Sequence, residues 1–269
     1  MESVRAVADW PVDNAAVAVV SASGGLLGTA GSQQREFKLA SVTKLLTAYA
    51  TLVAVEEGAV EWDQPAGPEG STVRHLIAHV SGLAFDEHKV MAEPGTRRMY
   101  SNVGFEVLAD TVHDASGIPF AEYLTEAVLA PLGMESSRLA GTAGAGAVST
   151  CADLARFAAE LQAPTLVSPS TVDEATSVAF PGMSGVLPGY GYQKDNDWGL
   201  GFELRDHKSP HWTGKNSSPA TFGHFGQSGT FLWVDPAAGV ACVALADRAF
   251  GQWAIDTWPD FTDAVLAEL

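Results

Sequence analysis

Apolar residues recur along the chain with two different periods, and the change of period divides it. Over residues 14–21 the side chains are small or β-branched without a break. Gly24-Gly25 offers a turn and residues 26–30 return, so the first thirty positions predict a hairpin. Over residues 41–57, Val42, Leu45, Leu46, Tyr49, Leu52 and Val53 keep the i, i+3, i+4, i+7 spacing of one helical face, and Gly58 ends the run. The helical period then dominates from 59 to 188, most clearly at 72–80, 102–115, 120–130 and 152–161, with Gly117 and Gly133 placed where helices stop. Beyond it the pattern becomes that of strands, at 198–204, 222–224, 229–234 and 240–246, with Pro236-Ala237-Ala238-Gly239 as the turn between the last two. Residues 257–269 predict a closing amphipathic helix. Strands at both ends with helices between them predict an α/β (α+β) architecture. One antiparallel sheet flanked by helices is assembled from residues 1–58 and 189–269, beside a mostly helical domain over 59–188.

Composition narrows the possible partners. The 269 residues are 46% hydrophobic and 17% charged, enough to bury a large core. Against 15 Lys and Arg stand 32 Asp and Glu, a net charge of −17 that repels phosphate, so no nucleic-acid partner and no anionic membrane surface is expected. The longest apolar runs, such as Val240–Ala246, are far too short to span a bilayer. Met1-Glu2-Ser3-Val4-Arg5 does not lead from a basic segment into a long apolar one, and a cytoplasmic address is the expectation. Cys151 and Cys242 lie far apart with no Cys-x-x-Cys, which reads as two buried thiols rather than a disulfide framework or a zinc site.

Three short motifs carry candidate chemistry. In Ser41-Val42-Thr43-Lys44 a hydroxyl and an amine stand three residues apart at the start of a helix, on one face. A serine becomes a nucleophile when a base takes its proton, and a lysine can be that base if desolvation lowers its pKa. Ala48 and Thr51 flank Lys44 on the helix and leave room for a packed neighbour. The Ser41 N–H, at a helix start, can help hold an oxyanion. Such a Ser-x-x-Lys is expected by chance about once in a chain this long, and alone it favours a helix start with a solvated lysine. In Tyr100-Ser101-Asn102 a phenol can shuttle protons if a nearby cation lowers its pKa, and an amide can orient a carbonyl; the plainer reading is a helix N-cap. In His224-Phe225-Gly226, Gly226 permits close approach of a substrate, and the following Gln227 N–H is a candidate second oxyanion donor.

The order of these motifs, with their surroundings, resembles the serine β-lactamase and penicillin-binding-protein superfamily, in particular its class C β-lactamase-like branch with esterases and D-aminopeptidases. Phe37-Lys38-Leu39-Ala40 running into Ser41, and Leu76-Ile77-Ala78-His79-Val80-Ser81-Gly82-Leu83, are similar to that branch. So are Glu93-Pro94-Gly95-Thr96 with Tyr100-Ser101-Asn102-Val103-Gly104, Ala130-Pro131-Leu132-Gly133-Met134, and Gly223-His224-Phe225-Gly226-Gln227-Ser228-Gly229. The resemblance implies a β-lactamase/transpeptidase-like fold and an acyl-enzyme on Ser41. Lys44 and Tyr100 would share the proton transfers, and Asn102, His224, Gly226 and Gln227 would bind substrate. It implies no metal and no cofactor. His224 stands where the lactamases carry a lysine that binds a carboxylate. An unperturbed histidine is only about one-quarter charged at neutral pH. That departure favours small-molecule esters or D-amino-acid amides and peptides. A true β-lactamase or DD-peptidase is the first alternative, and a penicillin-binding or sensory module without turnover the second.

Other motifs give way to plainer readings. Gly226-Gln227-Ser228-Gly229-Thr230 lacks the last glycine of an α/β-hydrolase elbow. His75 and His79 stand at i, i+4 without the glutamate of a zincin and read as core or capping residues. Asp195-Asn196-Asp197 reads as a polar turn. The polar stretch 206–220 is expected to line the rim of the cleft, with His211 and Trp212 as candidate substrate contacts.

Overall fold

The strands with unbroken apolar runs are the ones buried on both faces. In a computed structural model describing residues 1–269, the N-terminal half comprises β1 (Ala15–Ser21), β2 (Leu26–Gly31), β3 (Glu36–Lys38), α1 (Thr43–Glu56), α2 (Val73–Ile77), α3 (Asn102–Ser116) and α4 (Phe120–Leu124). There follow β4 (Arg138–Leu139), β5 (Ala147–Thr150), α5 (Cys151–Gln162), α6 (Pro169–Ala175), β6 (Gly185–Leu187) and β7 (Gly191–Gln193). The chain closes with β8 (Glu203–Leu204), β9 (Phe222–Gly226), β10 (Thr230–Asp235), β11 (Val240–Ala246) and α7 (Gln252–Leu266). Six strands form an antiparallel sheet in the order β2-β1-β11-β10-β9-β8, so the two ends of the chain meet where Ala15 pairs with Ala246 and Ser21 with Val240. On β1, Ala16, Ala18 and Val20 face one core while Val17 and Val19 face the other. Burial on both sides removes the need for polar alternation. No helix is long and apolar enough to cross a membrane.

One face of the sheet carries the helices of the central segment. Helix α5 packs directly on β1, β10 and β11, and one continuous core joins it to α1, α3 and the sheet. The other face is covered by α7 and the short 3₁₀ turn at Ser3–Asp9, with Trp253, Trp258 and Phe261 packed among Phe231, Trp233 and Val240.

The expected helices at 72–80 and 120–130 are α-helical only at Val73–Ile77 and Phe120–Leu124, and three further elements differ from the sequence expectation for a tertiary reason. Helix α1 is not amphipathic in place: every residue from Thr43 to Ala54 is buried. Its polar stripe is satisfied internally, by Thr47 donating to the Ala143 carbonyl at 2.7 Å, Tyr49 to Glu160 at 2.6 Å and the Ala147 N–H donating to Thr43 at 3.0 Å. The stretch 198–204 is a strand only at Glu203–Leu204. Its glycines let the chain fold onto α1, and a Cβ at Gly201 would lie 2.2 Å from that of Ala48, so Gly201 is the neighbour for which Ala48 leaves room. Helix α7 begins at Gln252 and runs through Pro259. A proline inside a helix costs about 3 kcal/mol, here offset by the burial of Trp253, Trp258, Phe261 and Val265.

His211 and Trp212 do not line a rim. They are 6% and 1% exposed, and both donate to the Glu203 carboxylate at 2.9 Å, alongside Lys208 at 2.5 Å. Burial alone would raise the Glu203 pKa, but His211 and Lys208 pull it down to about 2. This buried cluster pins the 204–213 loop behind β9. Removing Glu203 leaves the buried Lys208 amine without its carboxylate partner, so Glu203→Ala is expected to destabilise the fold by about 3–5 kcal/mol in denaturant titration. Because the folded pKa is depressed, the wild-type contribution is complete above about 4.5 and is lost as pH falls toward about 2. An acid-unfolding arm unchanged in Glu203→Gln would contradict this.

Candidate active site

Ser41 lies in a 3₁₀ turn, Ala40–Val42, just ahead of α1. The turn is delivered by β3, which pairs with β5 through Phe37 and Ser149, and its geometry is forced from outside. Ala40 holds a left-handed φ of 46°, a conformation that a non-glycine residue adopts only where its surroundings over-determine it. Those surroundings are the end of β9 and the start of β10. Thr230 donates to the Leu39 carbonyl at 2.8 Å. A Cβ at Gly226 would lie 2.3 Å from the same oxygen and 3.3 Å from the Ala40 side chain. Gly226 was expected to admit a substrate; the Leu39–Ala40 backbone just before Ser41 is what approaches it here.

Lys44 is wholly buried, and its amine is held at three points. It donates to Asn102 Oδ1 at 2.5 Å and to the Gly144 carbonyl at 2.7 Å, and it lies 3.4 Å from Ser41 Oγ. The ring of Tyr100 sits 4.6 Å from the nitrogen. Burial lowers the Lys44 pKa to about 7, against the opposing fields of Asp86 and Glu106. At neutral pH the amine is therefore uncharged much of the time. A neutral amine has two N–H groups and one lone pair. Asn102 and Gly144 occupy the first two, which leaves the lone pair toward Ser41.

Tyr100 and His224 complete the group. The His224 Nδ1–H donates to the Phe225 carbonyl at 2.5 Å, so Nε2 carries the lone pair and accepts from the Tyr100 hydroxyl at 3.2 Å. Burial drives the His224 pKa down to about 3, aided by Lys44, and the ring is uncharged at neutral pH rather than one-quarter protonated. Burial likewise pushes the Tyr100 hydroxyl up, with the Ser41 hydroxyl only partly countering, so the phenol keeps its proton instead of being acidified by the lysine. Asn102 begins α3, capped by Ser101, which accepts from the Gly104 N–H at 2.9 Å. Both ends of its amide are engaged, Oδ1 by Lys44 and Nδ2 by Asp86 at 2.7 Å. The Gln227 N–H, just past β9, donates to no protein group, while the Gln227 carbonyl accepts from the Phe250 N–H at 2.8 Å.

The structure thus gathers Ser41, Lys44, Tyr100, Asn102 and His224 into one cluster, in which the hydrogen-bonded Ser41–Lys44–Asn102 and Tyr100–His224 groups meet where Lys44 lies against the Tyr100 ring. Sequence reading missed several members. Trp198 packs beside His224, with ring centroids 5.4 Å apart, and beside His79 at 4.7 Å. His79 is a core histidine under Tyr100, its Nδ1 accepting from the Ser101 N–H at 3.2 Å. Gly144 is signalled only by the small-residue run around it, and Asp86 by nothing in its neighbourhood. A cavity of about 700 Å³ between the β1–β2 turn and α5, lined by Leu26, Gln33, Leu132 and Arg156, contains none of these groups. Chemistry rather than volume locates the site.

Comparison with known proteins agrees with this geometry. A family model described as Beta-lactamase matches residues 16–261. Over nearly its whole length the chain is similar to a beta-lactamase from Mycobacterium bovis, with 59% identity, a TM-score of 0.98 and coverage of 99% of this chain and 98% of that one. Penicillin-binding protein 4* of Bacillus subtilis (strain 168) is 29% identical over 136 residues, 38% of this chain and 30% of that protein. The D-alanyl-D-alanine-carboxypeptidase/endopeptidase AmpH of Escherichia coli (strain K12) is 26% identical over 137 residues, 37% of this chain and 36% of that protein. The matched stretches span about a third of the length of these two curated relatives.

The close approach at Gly226 is directly testable. Gly226→Ala is expected to cost about 1–3 kcal/mol of stability, because the Leu39 carbonyl has to move. It is also expected to suppress labelling of Ser41 by a reactive ester, read by intact-protein mass. Unchanged labelling would show that the seat of Ser41 does not depend on this contact.

Proposed function

We propose an acyl-enzyme mechanism through Ser41 for this chain, which belongs to the beta-lactamase family of serine hydrolases. The observation that carries the reading is the Lys44 amine, buried, lowered to about 7 and held by two acceptors so that its lone pair faces the Ser41 hydroxyl. Neutral Lys44 takes the Ser41 proton as Oγ attacks the substrate carbonyl. The Ser41 and Gln227 N–H groups receive the developing oxyanion. Tyr100, a neutral phenol, passes a proton to the departing oxygen or nitrogen and is reprotonated from Lys44. Water then cleaves the acyl-enzyme by the reverse sequence. His224 holds the Tyr100 hydroxyl as a hydrogen-bond acceptor and contributes no charge.

The substrates this site suits best are esters or D-amino-acid amides and peptides without a carboxylate at the His224 end. His224 is uncharged, and Phe85, 52% exposed, stacks on Tyr100 at 5.9 Å and offers an apolar surface beside the reacting atoms. Hydrolysis of β-lactams is a second reading, favoured by the 59% identity to a protein described as a beta-lactamase. Intact mass after exposure to p-nitrophenyl acetate, and separately to a penicillin, decides between them. A transient adduct with the ester alone, absent in Ser41→Ala, supports the first reading. A rapidly cleared penicillin adduct supports the second, and no Ser41-dependent adduct with either overturns the mechanism.

The pH dependence follows from Lys44. Because the amine acts when neutral, kcat/KM is expected to rise with pH through about 7. His224, with a pKa of about 3, stays neutral throughout, so His224→Gln is expected to lower the rate without moving that midpoint. A midpoint that shifts with His224→Gln would return the histidine to the titration.

A further inference from the structure

Loop 83–91 lies directly over the Tyr100–Asn102 segment, and three consecutive residues hold it. The Ala84 carbonyl accepts from the Ser101 hydroxyl at 2.6 Å, and the Phe85 carbonyl accepts from the Asn102 N–H at 2.8 Å. The Asp86 carboxylate accepts from Asn102 Nδ2 at 2.7 Å. The first two contacts fix backbone position. The third fixes something the backbone cannot, which is the sense of an amide.

An asparagine amide has nearly the same shape in its two orientations, so packing does not choose between them. Here charge chooses. With Oδ1 toward Lys44 and Nδ2 toward Asp86, both contacts are attractive. A flip would set the carbonyl against a carboxylate and the NH₂ group against the amine. It would also let Asn102 donate to the Lys44 lone pair, which is the electron pair that Ser41 needs. Without the carboxylate, one of these two penalties disappears.

We propose that Asp86 is a positioning residue that locks the Asn102 amide, and through it keeps the Lys44 lone pair aimed at Ser41. The inference rests on the reading of Lys44 as the base. Asp86 itself touches neither Lys44 nor the reacting atoms. It is exposed, so its replacement leaves the core intact.

The lysine senses Asp86 electrostatically as well. Among the titratable and charged groups around the amine, Glu106 on α3 also opposes the dominant effect of burial, while Tyr100, His79 and His224 are neutral at pH 7. Removing the Asp86 charge therefore moves the ascending limb of kcat/KM to lower pH.

The test compares Asp86→Ala, Asp86→Asn and Asn102→Ala with the wild type, using p-nitrophenyl acetate, a pH profile and thermal unfolding. Asp86→Ala is expected to lose about tenfold or more in kcat with little change in melting temperature, because a general base is worth 10²–10⁴ when fully positioned. Asp86→Asn keeps an acceptor for Nδ2, so it is expected to recover most of kcat while still moving the limb to lower pH. In an Asn102→Ala background, Asp86→Ala is expected to cost nothing further in kcat, since the coupling runs through the amide. Asp86→Ala with wild-type kcat, or with an equal loss in the Asn102→Ala background, overturns the inference. Turnover that Ser41→Ala does not abolish overturns the base assignment and the inference with it, which separates the two failures.

Discussion

A lysine amine with no exposure to water organises this molecule. Burying Lys44 is expensive for the charged form, and the cost is met in two ways: the pKa falls to about 7, and two oxygens take its protons. Those oxygens come from Asn102 at the start of α3 and Gly144 in the loop before β5, while Ser41 lies one turn away on the lysine's own segment. Three stretches distant in sequence therefore converge on one nitrogen. The same contacts that satisfy a buried polar group also fix the direction of its lone pair.

The sheet supplies the opposing wall. Thr230 and Gly226 grip the Leu39–Ala40 backbone and hold Ala40 in a left-handed conformation immediately before Ser41. Behind Tyr100, the buried Arg98 guanidinium donates to the carbonyls of Ala78, Ala179, Phe180 and Asn196, tying loops distant in sequence to one cation. Its pKa falls only to about 10, so it stays charged at neutral pH and the tie persists. The Glu203 cluster does the equivalent work behind β9.

The electrostatic character that results is neutral. His224, His79 and Tyr100 are all held in their uncharged forms by burial, and they pack with Trp198 around the one group whose charge is finely balanced. The walls around the Lys44 amine are therefore apolar and uncharged.

The sequence by itself determined the architecture and picked out most of the side chains that the fold brings together. Unbroken apolar runs at both ends predicted a sheet closed by the two termini, because strands buried on both faces need no alternation. The ordered motifs at Ser41, Tyr100 and His224 singled out side chains that prove to be neighbours around Lys44, because helix spacing and short motifs are local properties. Only the tertiary structure decided their states. Burial, which depends on every surrounding element, turned His224 from a partly charged group into a neutral acceptor and raised the Tyr100 pKa instead of lowering it. Long-range approach made Gly226 a seat for the chain's own backbone, engaged both ends of the Asn102 amide, and brought in Gly144, Trp198 and Asp86. These contacts have little or no local signature, because each is made with a partner remote in the chain.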